Sequence, residues 1–485
     1  MILLINPPFL RLKGKRDDSV PNGLAWLSAY LQTRGVKSVI YNADMGHHGK
    51  KSRAYRKILG GYAEYLENLK NPQHESWAEI RAVLQDIRPD WVGVSVMSAK
   101  SESAAIVSRI VKEVCPRCRV IWGGQHPTIL PHLCLARPEV DFVVRGEGEG
   151  PLAALLTRLD ADGRPDTIPG IGYKRGGRPI LTGPADRPDF ASLPFPRKDN
   201  LLFPERYDRN DLGGITATRG CPFPCGFCSA RQVVGKKIRY RPVESVADEI
   251  EYLKRTFGTG VFHFHDDTFT ANREYTEALC SELIARRTGV SWSCTTRLKS
   301  LSADLLRQME RAGCYYTSVG VESGSNRVLG QMKKNIMRED VIERIAVLKR
   351  ANVAWAVYIM AGLPEETAED VDLTADLIRR IKPERVVLSF FTPYPGTALF
   401  DRCVELGLVS KTMDWSHYNH QSPHNDFCLA AGKPDYREAL ARLVATVDRN
   451  NSSARGKMRR LMRTLPLIAR RPALGIAKLR RALAR

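Results

Sequence analysis

Long apolar runs are missing from this sequence. No hydrophobic stretch approaches the roughly 20 residues that a membrane-spanning helix needs. A secretory leader is also expected to be absent. Met1-Ile2-Leu3-Leu4-Ile5 is apolar, but Asn6-Pro7-Pro8 ends it and no basic segment precedes it. The 11 cysteines are scattered and odd in number, so a reducing, cytoplasmic setting fits better than a disulfide framework. Acid is missing from the end of the chain. Between Arg449 and Arg485 stand 12 Lys or Arg and no Asp or Glu, which is over half of the net charge of +21. That end has no interleaved stacking aromatics and no RNA-binding module, so no nucleic-acid partner is expected. What remains is a chain of 485 residues, 43% hydrophobic, long enough for two or three domains with real cores.

The first part alternates strands with helices. Residues 2–6, 36–41, 91–97, 119–122 and 142–144 have the short apolar character of buried strands. Helical spacing runs over 24–33, 77–87 and 102–114. Such alternation predicts an α/β fold with a Rossmann-like, doubly wound parallel sheet, whose ligands sit beyond the carboxyl ends of the strands. Residues 46–71 are basic and loosely patterned, and read as an insertion. Residues 160–207 are rich in Pro, Gly, Asp and Arg, and read as a connector with one hairpin.

From residue 212 the alternation resumes. Strands are expected at 214–218, 261–265, 291–295, 315–321, 354–360 and 385–390, each followed by a helix. This is a partial (β/α)6 barrel of the TIM type, with its site at the carboxyl ends of the strands. Domains are expected at 1–150, 212–430 and 431–485, with a linker at 151–211 and the last segment a short basic helical tail. Asp414 to Phe427 carries His417, His420 and His424, and reads as a loop over the barrel mouth rather than a metal site.

The chemistry concentrates in GITATRGCPFPCGFCS, from Gly214 to Ser229. Cys221, Cys225 and Cys228 form C-x3-C-x2-C there, and the next cysteine is Cys280. Three thiolates this close can grip three corners of a four-iron cluster and leave the fourth iron open. Zinc binding or three unrelated core thiols are the alternatives. Gly220, Pro222, Pro224 and Gly226 argue against unrelated core thiols, because they build a loop that wraps closely around a guest.

This spacing, with Phe227 before the last cysteine, resembles the signature of the radical S-adenosylmethionine (SAM) superfamily. The whole chain resembles its B12-binding, cobalamin-dependent branch. The resemblance implies a 4Fe-4S cluster on Cys221, Cys225 and Cys228, with SAM chelating the open iron and cobalamin in the first domain. It implies that Glu322 is the SAM-binding acid and that Arg297 pairs the SAM carboxylate. Asp266, followed by Asp267, takes the place where many relatives carry Gly-Gly-Glu. Phe227 would meet adenine, with Gly362 in the loop beneath it. Ser95 and Ser98, with Gly123 and Gly124, match the loops around the nucleotide tail of cobalamin, and His126 would touch the corrin. The family's cobalt-ligating D-x-H-x-x-G is absent, since Asp44-Met45-Gly46-His47 has the wrong spacing. No catalytic side chain is assigned.

The implied activity is methylation of an unactivated carbon of a small-molecule or lipid-like substrate, with an external electron donor such as flavodoxin or ferredoxin. The alternatives are a radical cyclase or rearrangement enzyme acting on a porphyrin, polyketide or lipid-like molecule, and a non-enzymatic cobalamin or cluster sensor. The basic amphipathic tail adds an expected contact with the inner membrane face.

Overall fold

The computed structural model describes residues 1–46 except 16 and 18, residues 61–453 except 411, 421, 423 and 424, and residues 456 and 458. His47, His48 and His424, and nearly all of the basic tail, lie outside the described residues. The chain divides into two compact units. The first comprises Met1–Leu212, Ser229–Gly235 and Thr412–His424; the second comprises Gly213–Cys228, Lys236–Lys411 and the chain from Asn425.

In the first unit, β1 (Ile2–Asn6), β2 (Ser38–Asn42), β3 (Trp91–Ser95), β4 (Arg119–Gly123) and β5 (Phe142–Val144) pair in parallel. Two antiparallel strands, β6 (Ile171–Arg175) and β7 (Arg178–Leu181), extend the sheet to seven in the order β2-β1-β3-β4-β5-β6-β7. The segment expected as a connector therefore supplies two strands of this sheet. Its hairpin is visible in the sequence; its docking is not, because β6 buries only Ile171, Gly172 and Tyr173. The crossover helices follow the apolar spacing. Glu75–Ile87 buries Trp77, Ile80, Val83 and Leu84, starts where His74 accepts the Ser76 N–H (3.2 Å), and stops at Arg88 in a left-handed conformation just before Pro89. The stretch read as an insertion contains a further helix, Tyr62–Lys70, whose Tyr62 and Tyr65 are buried. Residues 412–424, expected with the second domain, are grouped with this unit.

In the second unit, β8 (Gly214–Ile215) is followed by a two-residue pair, β9 (Thr218–Arg219) and β10 (Arg239–Tyr240). Then come β11 (Val261–Phe264), β12 (Ser291–Thr296), β13 (Cys314–Glu322), β14 (Ala354–Ala361) and β15 (Arg385–Phe390). Six of these form one parallel sheet in the order β15-β14-β13-β12-β11-β8, with β8 and β15 at its edges, as in an open partial barrel. Side chains alternate between the two faces. Phe262, Phe264, Trp292, Val319, Trp355, Val357, Val386 and Leu388 are buried on the helix-covered face. Trp292 packs on Phe264 and Phe269 and donates its Nε1–H to the Ala312 carbonyl (2.9 Å). Several helices start on short polar caps after the strands. Asn272 accepts from Tyr275 N–H, Ser302 from Leu305 N–H and Thr397 from Phe400 N–H. The last described helix, Pro434–Ser452, buries Tyr436, Ala439, Leu443 and Val447 and packs on the helix Ala368–Ile381. It is part of this unit rather than a tail.

One buried ion pair ties the first helix of this unit to the strand ahead of the cysteines. Arg241 and Glu249 are 1% and 0% exposed, and Arg241 Nη1 meets Glu249 Oε2 at 2.6 Å and the Thr216 carbonyl at 3.0 Å. Removing one partner of such a pair strands a buried charge. Arg241→Met is expected to lower the unfolding free energy by about 3–5 kcal/mol. Adding Glu249→Gln should recover part of that loss, as read by urea denaturation.

Candidate active site

The chain leaves β8 through a turn held by a buried carboxylate. Asp266, at the end of β11, accepts from Ala217 N–H (3.2 Å), Thr218 N–H (2.6 Å) and Thr218 Oγ1–H (2.6 Å). Burial pushes its carboxyl up to about 6 against these bonds. Both side-chain oxygens thus hold the turn at Ala217 and Thr218, and Asp266 braces the loop ahead of the cysteines. Asp267 is its exposed neighbour and lies close enough to Cys221 to influence it electrostatically.

The cysteine loop then docks on the far side of the sheet's carboxyl end. Gly226 N–H donates to the Met332 carbonyl (2.8 Å), and Leu399 N–H donates to the Gly226 carbonyl (2.9 Å). A Cβ on Gly226 would stand 3.4 Å from the Gln331 carbonyl oxygen, so the loop lies close against this segment. Cys221 and Cys225 are half-buried, Cys228 is exposed, and none is in a disulfide. Burial pushes the Cys221 thiol up.

Arg297, just past β12, organises this loop. Its guanidinium lies over the Phe223 ring (4.0 Å), donates to Cys225 Sγ (3.4 Å) and donates to the Lys334 carbonyl. Lys334 Nζ in turn meets Glu322 Oε1 at 2.7 Å, with both side chains under 10% exposed, and lies 5.6 Å from the Phe227 ring centroid. Glu322 closes β13 with a positive φ of 73°. Arg297, Glu322 and Phe227 are therefore brought together around Lys334. Beyond β14, Gly362 turns with φ 86°, and its N–H donates to Glu366 Oε2 (2.6 Å), which also accepts from the Tyr436 hydroxyl (2.8 Å).

In the first unit the other predicted residues gather at the carboxyl ends of β3 and β4. Ser95 pairs with Gly123. Val96 N–H donates to the Gly123 carbonyl (2.7 Å), and His126 N–H donates to the Val96 carbonyl (3.0 Å). Gly124 has φ 104°, and a Cβ there would come within 3.1 Å of the Val96 oxygen. Ser98 Oγ and His126 Nδ1 are buried against each other at 3.1 Å. Burial pushes His126 down to about 4, with Arg137 adding to the effect, so the ring is neutral at pH 7. Lys100 Nζ ties the loops after β1 and β2 to this end through Asp44 Oδ2 (3.0 Å), Asn6 Oδ1 (3.1 Å) and the Pro7 carbonyl (3.3 Å).

Comparison with known proteins matches these two sites to two family descriptions. Residues 16–156 match "B12 binding domain", and residues 215–378 match "Radical SAM superfamily". The chain is 30% identical over 378 residues to an anaerobic magnesium-protoporphyrin IX monomethyl ester cyclase of Rubrivivax gelatinosus, covering 75% of this chain and 67% of that one. The chain belongs to the B12-binding radical SAM family. An uncharacterized methyltransferase of Pyrococcus horikoshii, PH0819, is 29% identical over 373 residues, covering 76% of this chain and 78% of the relative. The fold is shared with the radical SAM methyltransferase TsrM from Kitasatospora setae, whose structure holds cobalamin and a 4Fe-4S cluster. That match has a TM-score of 0.72 at 18% identity and covers 99% of each chain.

The donor sets fit what this radical SAM family carries. Among the described residues no three His, Cys, Asp or Glu side chains converge on a point that would hold a single ion. Cys221, Cys225 and Cys228 are free thiols on one loop, the donor set that suits three corners of a cluster. In the B12-binding unit, a Cβ on Gly123 would meet nothing nearer than Val144 Cβ at 4.0 Å, which leaves a cradle beside the backbone.

Sequence reasoning missed Lys334, Phe223 and Glu366. Lys334 lies in a loop without a motif, and only its pairing with Glu322 reveals it. Glu366 follows the Gly-Leu-Pro turn, but its bond back to Gly362 is invisible in one dimension. Burial pushes the Glu366 carboxyl up to about 7 from an ordinary 4.5. A carboxyl raised on folding favours the folded state at low pH and loses that advantage as pH rises through this window. Glu366→Gln does not titrate. Urea unfolding at pH 4.5, 6 and 7.5 should show the unmodified protein losing on the order of 3 kcal/mol relative to the variant across the window. A pH-independent difference would count against this role.

Proposed function

We propose that this chain methylates an unactivated carbon of a small organic substrate within the second unit. The observation that carries the reading is the loop of three thiols, gripped by Arg297 at the carboxyl end of a six-stranded parallel sheet, in a chain that also carries a B12-binding domain. When bound, the cluster supplies the electron that cleaves SAM to methionine and a hydrogen-abstracting adenosyl radical, and cobalamin supplies the methyl group.

The chain's own residues bind, orient and shield. Cys221, Cys225 and Cys228 would hold the cluster through three of its irons, with the fourth open to the amino and carboxylate groups of SAM. Arg297 donates to the Cys225 sulfur and balances its charge. Glu322 with Lys334 forms a paired acid and base beside Phe227, where the charged ends of SAM meet complementary groups. Gly362, kept in its left-handed turn by Glu366, presents backbone to the adenine. Ser95, Ser98, Gly123 and Gly124 frame the cobalamin tail, and His126 holds the Ser98 hydroxyl in place. An external one-electron donor such as flavodoxin or ferredoxin completes the system. A cytoplasmic setting follows from three thiols that must stay reduced. The basic end of the chain supports contact with an anionic membrane surface.

The similarity to a cyclase favours a second reading, in which the substrate radical closes a ring instead of accepting a methyl group. Product mass separates the two: methylation adds one methyl group, and cyclisation removes hydrogens. After anaerobic reconstitution with iron, sulfide and cobalamin, the protein should convert SAM to 5′-deoxyadenosine under reduction, while Cys225→Ala should lose both iron and this conversion. Conversion retained by Cys225→Ala would refute the assignment.

A further inference from the structure

The inner face of the second unit's sheet carries a row of polar side chains interrupted by small ones. His263 and His265 are exposed on this side, with ring centroids 4.9 Å apart, and His263 Nδ1 meets Ser293 Oγ at 2.9 Å. The register continues the row across the sheet. Ser293 is opposite Tyr316, and Tyr316 opposite Ala354. One step nearer the carboxyl end, Thr295 is opposite Ser318, Ser318 opposite Ala356, and Ala356 opposite Arg385. Tyr358 follows on the same face of β14, since Ala356 and Tyr358 are two residues apart.

Arg385 is the unusual member. It is half-buried, yet among the described residues it has no hydrogen bond and no ion pair. Glu384, next to it in sequence, is turned away: its buried carboxylate accepts from Trp355 N–H (3.3 Å). Tyr358 is half-buried and likewise lacks a partner among the described residues. Tyr316 senses Arg385 and Tyr358 as neighbours, feels the Glu384 carboxylate more weakly than either, and lies within hydrogen-bonding reach of Ser318. Ala354 and Ala356 leave room between them. A guanidinium that meets no acid and is not sealed from solvent is open to an incoming anion.

We propose that Arg385, with Tyr316, Tyr358 and Ser318, binds an oxyanion of the substrate, a carboxylate or phosphoryl group. The guanidinium offers a planar fork that matches either group, and the two phenols and the serine hydroxyl donate to the remaining oxygens. The substrate is then a polar, anion-bearing small molecule rather than a bare lipid hydrocarbon. This inference rests on the second unit being the reaction site, as proposed above.

The test uses the full chain labelled with 3-fluorotyrosine and titrated at constant pH and ionic strength with inorganic phosphate or glutarate. Tyr316→Phe and Tyr358→Phe assign the two fluorine resonances. Both resonances should shift saturably, and the anion with the lower midpoint identifies the group. Arg385→Gln should weaken that midpoint at least about tenfold, and Arg385→Lys should recover part of the loss. Circular dichroism checks that each variant is folded. Resonances that do not respond, or that respond equally in folded Arg385→Gln, overturn the proposal. Reductive SAM cleavage by the unmodified protein is measured in parallel. Anion binding without cleavage refutes the proposed function and leaves this inference standing, and cleavage without anion binding does the reverse.

Discussion

A carboxylate that gives up water to hold backbone amides is expensive, and Asp266 does this where the chain leaves β8. The cost is offset by three hydrogen bonds that fix the exit direction of the loop. Arg241 adds a second clamp from below, through the Thr216 carbonyl and Glu249. With the exit fixed, the thiols do not need a helix or strand of their own. They sit on a Gly-Pro loop whose far end is pinned by Met332 and Leu399. The geometry of the thiols therefore comes from the sheet, not from the loop's local propensity.

The two faces of the second sheet divide the labour. The helix-covered face is aromatic and aliphatic, with Trp292, Trp355 and Phe264 fully buried, and it supplies the rigidity. The opposite face keeps histidine, tyrosine, serine and an arginine, Arg385, whose side chain has no partner among the described residues, which a packed core would not tolerate. Rigidity on one side allows polarity on the other. The first unit follows the same logic at the carboxyl ends of β3 and β4, where Gly124 approaches Val96 so closely that no side chain fits.

Much of this was legible in the sequence. All six parallel strands of the second sheet were readable because each is a short apolar run followed by a helix start such as Asn272, Ser302 or Thr397. The cysteine triplet and its bend-forming glycines and prolines were legible for the same local reason. What stayed hidden was long-range. A strand-end acid such as Asp266 looks the same in sequence whether it braces a neighbouring turn or faces a guest, so its bonds to Ala217 and Thr218 could not be read. The pairing of Glu322 with Lys334 was hidden too, since Lys334 lies 12 residues away in a loop with no pattern of its own. The hairpin at β6 and β7 was seen, but its two strands carry too few apolar residues to announce that they join a sheet.

The central claim is that three thiolates hold a cluster and leave one iron for SAM. Mössbauer spectroscopy of the iron-57-reconstituted protein, recorded with and without SAM, tests it most directly. The account predicts about four irons per chain, one of which changes its isomer shift when SAM is added. A four-iron spectrum that SAM leaves unchanged, or a single-iron site, would contradict it.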